Sequence, residues 1–344
     1  MNRQTQTAGG ERTSLRSWTA ICILALMMVL VSACGSSNNA ASSEGSAGGT
    51  TSASGTTSDS SAQAKQQTIT YLGKEYTVPA KAERIVITGS MEAMEDALML
   101  DVHPIGAITY QGNFPEKFAS ITDQAKSIGE KTEPNFETIL SLKPDVILGT
   151  TKFDAPVLEQ LNKIAPTIAV SHISDNWQDN LKLMGQLTGK QDQAESAISK
   201  YDQDVQTAKT ELGAKLNDKT VLAVRIRQGA ICVYPSNVFV NAALYEDLGL
   251  NVPDIIQQTK AQQEISVEQL AQVNPDDLFI QFSEDENADT PNALKDLQSN
   301  PILSKMKAFQ DGHVYVNVID PLSEGGPAWS RDQFVQAAVK ELSK

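Results

Sequence analysis

Twice in this chain a short helical stretch ends on a proline–aspartate pair and turns into an apolar strand. The first copy is Phe136-Glu137-Thr138-Ile139-Leu140-Ser141-Leu142-Lys143-Pro144-Asp145, continuing through Val146, Ile147 and Leu148. The second begins at Ile265, passes Val267, Leu270 and Val273, reaches Pro275-Asp276 and continues through Leu278, Phe279 and Ile280. Proline cannot continue a helix and disfavours helical backbone at the residue before it, so it ends the helix and presets the turn. The apolar run after it suits a central strand. A helix joined to a strand in this way is a common connection. One copy in each half of the chain points to two similarly built lobes.

Strand-like and helical stretches alternate from Thr68 to the end, the pattern of an α/β protein with mainly parallel sheets. Residues 68–72 and 75–78 flank Gly73-Lys74 and predict a hairpin. Strands are expected at 84–88, 104–108, 146–148 and 167–169, with helices at 91–100, 136–142 and 155–164. Between the halves, Trp177, Leu181, Met184, Leu187, Ala194, Ile198, Tyr201, Val205 and Ala208 recur at three- and four-residue spacing. They predict a long amphipathic helix over 176–212, with a break suggested at Thr188-Gly189. The lobes are then 68–175 and 213–344, and a single helical crossover leaves little freedom for hinge bending.

Residues 1–33 have the form of a lipoprotein signal peptide. Arg3, Arg12 and Arg16 stand against Glu11 alone, and the apolar run from Trp18 to Val31 is interrupted only by Thr19 and Cys22. That run is short for a bilayer span, which needs about 20 residues. Leu30-Val31-Ser32-Ala33-Cys34 resembles a lipobox, in which the cysteine thiol takes the diacylglycerol and becomes the new N-terminus. The alternative is an uncleaved anchor with an incidental cysteine. The next stretch suits the lipobox better: from Gly35 to Ser61 the chain is almost entirely Gly, Ser, Thr, Ala and Asn. Such a composition has no apolar face to bury, so 34–67 is expected to be a disordered tether reaching roughly 30 Å. Either form places the globular part outside the cell. Lipid on Cys34 would hold it on the extracytoplasmic face of the cell membrane, in a Gram-positive bacterium.

The formal charge is −14, and residues 1–33 contribute +2, so the remainder carries −16. An acidic surface of this kind argues against nucleic acid as a partner. With Cys22 in the signal and Cys34 at the lipid site, Cys232 is left alone in the folded part and has no cysteine to pair with. The sequence has no Gly-x-Ser-x-Gly elbow, phosphate-cradling glycine loop or His-Glu-x-x-His motif, so it does not read as an enzyme. His103, His172 and His313 are too far apart in the chain to suggest a zinc or manganese site. No metal ligand and no cofactor is assigned.

Four segments, in order, carry a family likeness from about Thr68 to Lys344. Arg84-Ile85-Val86-Ile87-Thr88-Gly89-Ser90 leads into a helix; Phe136 to Leu148 is the helix, Lys-Pro-Asp and strand already described. Residues 238–249 form the third segment. Asp311-Gly312-His313-Val314-Tyr315-Val316-Asn317, then Gly325-Gly326-Pro327 and a terminal helix, form the fourth. The chain resembles the ferric-siderophore and cobalamin binding proteins of ABC importers, the helical-backbone class of solute-binding proteins. This resemblance implies two α/β lobes, a rigid helical bridge and a shallow ligand cleft between the lobes. It also implies a monomer that captures a preformed ferric siderophore, its iron wholly ligated by the chelator, and delivers it to ABC permease and ATPase subunits. Haem or cobalamin is the alternative ligand within the same family.

Only four arginines come after the signal segment: Arg84, Arg225, Arg227 and Arg331. Arg225 and Arg227 lie two apart on a strand and so face the same side, at the carboxyl end where open α/β sheets place ligands. Either they meet an anionic ligand or they pair with neighbouring acids; the resemblance favours the ligand. Arg331 lies just past a Gly-Gly-Pro loop expected to form a cleft rim. Ser90, Met91, Tyr110 and Lys152 would form the rim of the first lobe, with Lys152 equally readable as a solvated lysine. Trp329 and Tyr234 are expected to stack on the ligand or to pack as partial core. The rigid forks of arginine suit a citrate-based carboxylate–hydroxamate siderophore best. Met91 is the one candidate haem ligand on the first-lobe rim, with Cys232 or Tyr234 opposite, though packing at its helix start is the simpler role. The resemblance also implies a permease-docking glutamate on each lobe. Glu95, or Glu92 on the same helix, fits in the first; in the second Ala243 falls at the aligned position and Glu246 one turn on.

Overall fold

The computed structural model describes residues 66–216 and 218–344; the signal segment, Cys34 and nearly all of the tether lie outside the described residues. The first lobe opens with the antiparallel hairpin of β1 (Gln66–Tyr71) and β2 (Lys74–Pro79), turning through Leu72 and Gly73. Strand β1 starts two residues earlier than its apolar alternation indicates. A six-stranded sheet comes next, built from β3 (Ile85–Ile87), β4 (Gly106–Thr109), β5 (Lys126–Glu130), β6 (Glu133–Pro134), β7 (Val146–Thr150) and β8 (Thr167–Val170). Its order is β6-β5-β4-β3-β7-β8, parallel throughout except for the β5–β6 pair. Every residue of β3, β4 and β7 is buried, which is why these strands read as continuous apolar runs. The lobe's helices are α1 (Met91–Met99), α2 (Ala119–Thr122), α3 (Phe136–Leu142) and α4 (Ala155–Asn162).

The connecting segment is two helices, α5 (Trp177–Thr188) and the 22-residue α6 (Gln191–Leu212). Gly189 at φ +74° supplies the left-handed cap between them, at the place the sequence suggested. The second lobe has β9 (Val221–Arg227), β10 (Ala230–Val233), β11 (Gln263–Ile265), β12 (Asp277–Phe282) and β13 (Val314–Val316), in the order β11-β10-β9-β12-β13. Strands β9, β12 and β13 are parallel, and β10 and β11 are added antiparallel at one edge. Helices α7 (Asp254–Gln258), α8 (Val267–Val273), α9 (Ala293–Gln298), α10 (Lys307–Asp311) and α11 (Ala328–Leu342) complete it. The segment after Val238 is a short turn of α-helix that widens into a π-turn over Ala243–Asp247.

The duplicated segment is a structural repeat down to its hydrogen bonds. Asn135 caps α3 by accepting from Thr138 N–H, and Ser266 caps α8 by accepting from Gln269 N–H. Lys143 and Asn274 end those helices in the left-handed region, both at φ +47°. The aspartates after the prolines then tie each helix to a neighbouring strand. Asp145 N–H donates to the Arg84 carbonyl at 2.9 Å, and Asp276 N–H to the Thr220 carbonyl at 2.8 Å. Their carboxylates accept in return from Arg84 N–H (2.9 Å) and Thr220 N–H (2.8 Å). The two lobes share one compact unit. No helix among the described residues is long and apolar enough to cross a membrane.

Candidate ligand-binding site

Parallel strands deliver their carboxyl-end loops to one edge of a sheet, and here both lobes bring such loops together. From the first lobe come the Ser90 turn after β3, Tyr110 after β4, Lys131 after β5 and Lys152 after β7. From the second come Arg225 and Arg227 at the end of β9, the 285–287 turn after β12 and the loop after β13. Four cations and three acids meet there. Lys131 Nζ lies 2.5 Å from Glu324, and Lys152 Nζ 3.3 Å from Glu92. Arg225 Nε donates to Glu286 at 2.8 Å, while Arg227 reaches the other oxygen of Glu286 at 3.3 Å. Gln111 donates across to the Asp285 carbonyl at 3.4 Å. A small hollow beside the cluster is lined by Glu92, Lys152, His172, Trp177, Phe239 and Glu324. Larger hollows on the flank of the second lobe carry no basic side chain.

The charges hold one another in their ionised forms. Burial pushes the Glu324 carboxyl up, but Lys131, Lys152 and Arg225 outweigh it and leave it well below the ordinary carboxylate range. Burial likewise pulls Lys131 and Arg225 down, yet Glu324 beside the lysine and Glu286 beside the arginine raise both overall. Burial also raises the Tyr110 hydroxyl, keeping it a neutral donor at the edge of the cluster. His172, desolvated and near Lys152, is lowered.

The residues singled out from sequence divide into two groups. Arg225, Arg227, Lys152 and Tyr110 are brought together, and the arginines also pair with an acid. Tyr234 joins them: its hydroxyl donates to Gln262 Oε1 at 3.1 Å, the same oxygen that takes Arg227 at 2.7 Å. Ser90 is fully buried; its oxygen caps α1 at Ala93 N–H and its hydroxyl donates to Glu92. The others sit elsewhere. Arg331 is 2% exposed and donates to Asp247 (2.7 Å), Tyr201 (3.2 Å) and the Ser174 carbonyl (3.1 Å), so it binds α11 to the connecting region and forms no rim. Trp177 packs edge-on to Tyr201 at 4.9 Å beneath it. Trp329 lies over Lys117, which is held by Glu95, Ser323 and Asp320. Met91 is wholly buried at the start of α1, out of reach of a ligand iron.

Glu95 is corrected by the same packing. It is 0% exposed, bonded to Lys117 (3.0 Å), to Glu324 N–H (3.0 Å) and to the Ser330 hydroxyl, so it faces α11 and no outside partner. Glu92, the other docking candidate on that helix, is buried too and turned to Ser90 and Lys152. Glu246 is exposed on the π-turn, raised by burial and by its neighbour Asp175. Cys232 is a free, buried thiol. His103 bonds Asp101 and Asp123, His172 bonds Thr151 and His313 bonds Asp277, each in its own neighbourhood. Among the described residues, no group of three His, Cys, Asp or Glu could hold a metal ion.

Sequence reasoning did not place Lys131, Glu92, Glu286, Glu324 or Gln262 in the cleft. Lys131 follows a strand with one buried residue, Ile128, among Lys126, Ser127, Gly129 and Glu130. No apolar alternation marks such a strand, so no local pattern points to the cation that follows it.

With this geometry in view, comparison with known proteins defines the class. Residues 63–317 match the model of the family described as "Periplasmic binding protein", and the chain belongs to that family: it is a binding protein, not an enzyme. It is 47% identical over 322 residues to the "Iron-uptake system-binding protein" of Bacillus subtilis, covering 94% of this chain and 97% of that one. A solved structure of the triscatecholate siderophore binding protein FeuA from Bacillus subtilis, complexed with ferri-bacillibactin, is 51% identical. It has a TM-score of 0.78 and covers 80% of this chain and 98% of that one. The "Probable siderophore-binding lipoprotein YfiY" of Bacillus subtilis is 28% identical, over 88% of this chain and 90% of the relative.

Proposed function

We propose that this chain captures a ferric triscatecholate siderophore between its lobes and delivers it to the permease of an ABC importer. The observation that carries this reading is the convergence of Lys131, Lys152, Arg225 and Arg227 on one cleft of a strongly acidic chain. Six phenolate oxygens around iron(III) make a trianion. Guanidinium and ammonium donors meet its outer oxygens without touching the metal. Tyr110, Tyr234 and Phe239 supply aromatic faces beside those cations. The arginines alone favoured a citrate-based carboxylate–hydroxamate chelate. The addition of two lysines, and the likeness to a structure holding ferri-bacillibactin, favour the catecholate. Haem recedes because Met91 is buried.

Titration with ferric bacillibactin, ferric citrate and a ferric trihydroxamate, monitored by Trp fluorescence, tests this. Saturable quenching strongest with the catecholate is the expected result; no saturable quenching by any ferric chelate would sink it.

Docking then needs one exposed acid on each lobe. Glu95 is buried, but the repeat offers a matched pair. Glu137 on α3 and Glu268 on α8 are both exposed, each two residues after the N-cap. They are the acids we assign to the permease contact, with Glu246 left aside. Lipid on Cys34 is the proposed anchor to the cell membrane, and the description of a relative as a lipoprotein supports it.

A further inference from the structure

The three acids of the cleft are held in different ways. Glu286 is fixed beside the arginines: its carboxylate bridges both, its carbonyl accepts from Gln228 N–H, and Asn287 next to it donates to the Ile226 and Ser283 carbonyls. Glu92 belongs to the first turn of α1, tied to Ser90 and Lys152. The Glu324 carboxylate is partnered by the binding cations themselves. One oxygen lies 2.5 Å from Lys131 and the other 4.0 Å from Arg225, so it joins a cation of the first lobe to one of the second.

Its backbone is pinned by other groups, while its side chain is held by the binding cations. Glu324 N–H donates to Glu95 and Gly325 N–H to Ser330 Oγ at 2.9 Å. Gly325 sits at φ +73°, where an added Cβ would fall 2.3 Å from Val240 Cγ1; one on Gly326 would fall 2.3 Å from Ser174 Oγ. The Gly-Gly pair therefore lets the loop press against both neighbours and aims residue 324 into the cleft. Beyond that anchored backbone, a glutamate side chain has three rotatable bonds and can swing aside.

We infer that Glu324 is a built-in counter-anion, occupying the place of the chelate's anionic oxygens and yielding it when a sufficiently charged ligand arrives. This rests on the proposed function and adds a residue that sets its specificity. Without Glu324, Lys131 and Arg225 would face each other at short range in a poorly solvated site, with nothing between them to offset the repulsion. With it, the cleft is nearly neutral. A chelate of low charge gains little by displacing a carboxylate already in place. A trianion brings several anionic oxygens for the one it removes, so the exchange favours it.

The test compares wild type with Glu324→Gln, Glu324→Ala and the charge-retaining Glu324→Asp. Each is titrated with ferric bacillibactin and with the cationic trihydroxamate complex ferrioxamine B, after a thermal melt to verify folding. Glu324→Gln and Glu324→Ala should bind ferric bacillibactin about tenfold more tightly, a gain that shrinks in high salt. Neither should gain affinity for ferrioxamine B, so the preference for the anionic chelate widens. Glu324→Asp should stay within about twofold of wild type. Folded Gln and Ala variants that bind ferric bacillibactin no more tightly than wild type overturn the inference alone. Wild type that binds no ferric triscatecholate removes the proposed function and this inference together.

Discussion

Replacing Arg331 separates a ligand contact from a structural rivet. The guanidinium is 2% exposed, lies 5.5 Å from the Trp177 ring and 5.9 Å from the Tyr201 ring, and donates to Asp247, Tyr201 and Ser174. Arg331→Ala leaves the Asp247 carboxylate and the Ser174 carbonyl without that donor and opens a hole over two aromatic rings. Removing one partner of a buried pair costs about 3–5 kcal/mol. At roughly 2–4 °C per kcal/mol for a protein of this size, the melting temperature should fall by roughly 6–20 °C. Arg331→Lys keeps the charge but loses the fork, and should fall between. Calorimetry measures the loss, and fluorescence titration at a temperature where the variant is folded measures affinity. Ferric bacillibactin should bind with unchanged Kd. An unchanged melting temperature with affinity reduced tenfold would refute this reasoning and return Arg331 to the cleft.

Arg227→Ala, by contrast, should weaken ferric bacillibactin binding by about tenfold to a hundredfold, the worth of one charge-assisted hydrogen bond; a Kd within twofold of wild type would count against the site. Glu137→Lys and Glu268→Lys should each reduce siderophore-dependent uptake without altering Kd, and a drop in affinity would argue against docking. Asp96 lies buried between α1 and α11, neither carboxyl oxygen making a hydrogen bond of good geometry. Burial, then the charges of Glu95 and Glu92, push it well above the usual range, only partly offset by Ala328 N–H. Between the ordinary value of about 3.9 and the raised one, the folded state binds more protons than the unfolded, so stability falls as pH rises. Asp96→Asn should raise the melting temperature at pH 7, with the gain fading toward pH 4. A gain independent of pH would contradict the assignment.

Much of the fold was legible because its signals are local. Apolar runs marked β3, β7 and β8, Gly189 marked the break before α6, and Lys143-Pro144-Asp145 with Asn274-Pro275-Asp276 marked equivalent corners of the two lobes. Strands β5 and β10 were missed: β5 is mostly polar, and β10 continues β9 through the tight Gln228-Gly229 turn. In the site, Arg225 and Arg227 could be placed on one face from their spacing alone. Lys131 could not, because its strand gave no apolar pattern to read.

The sequence by itself determined most of the strands and helices, that two lobes repeat one corner, and that rare arginines stand at a strand end. These come from backbone sterics and apolar periodicity, which act over a few residues. Only the tertiary structure decided which charges meet. Glu95 is bonded to Ser330, 235 positions along the chain, and Lys131 to Glu324, 193 positions along. Arg331 and Arg225 are equally buried cations, yet one is enclosed against the connecting helices and the other opens on the cleft. That difference is set by where α11 packs, which no local pattern around either arginine contains.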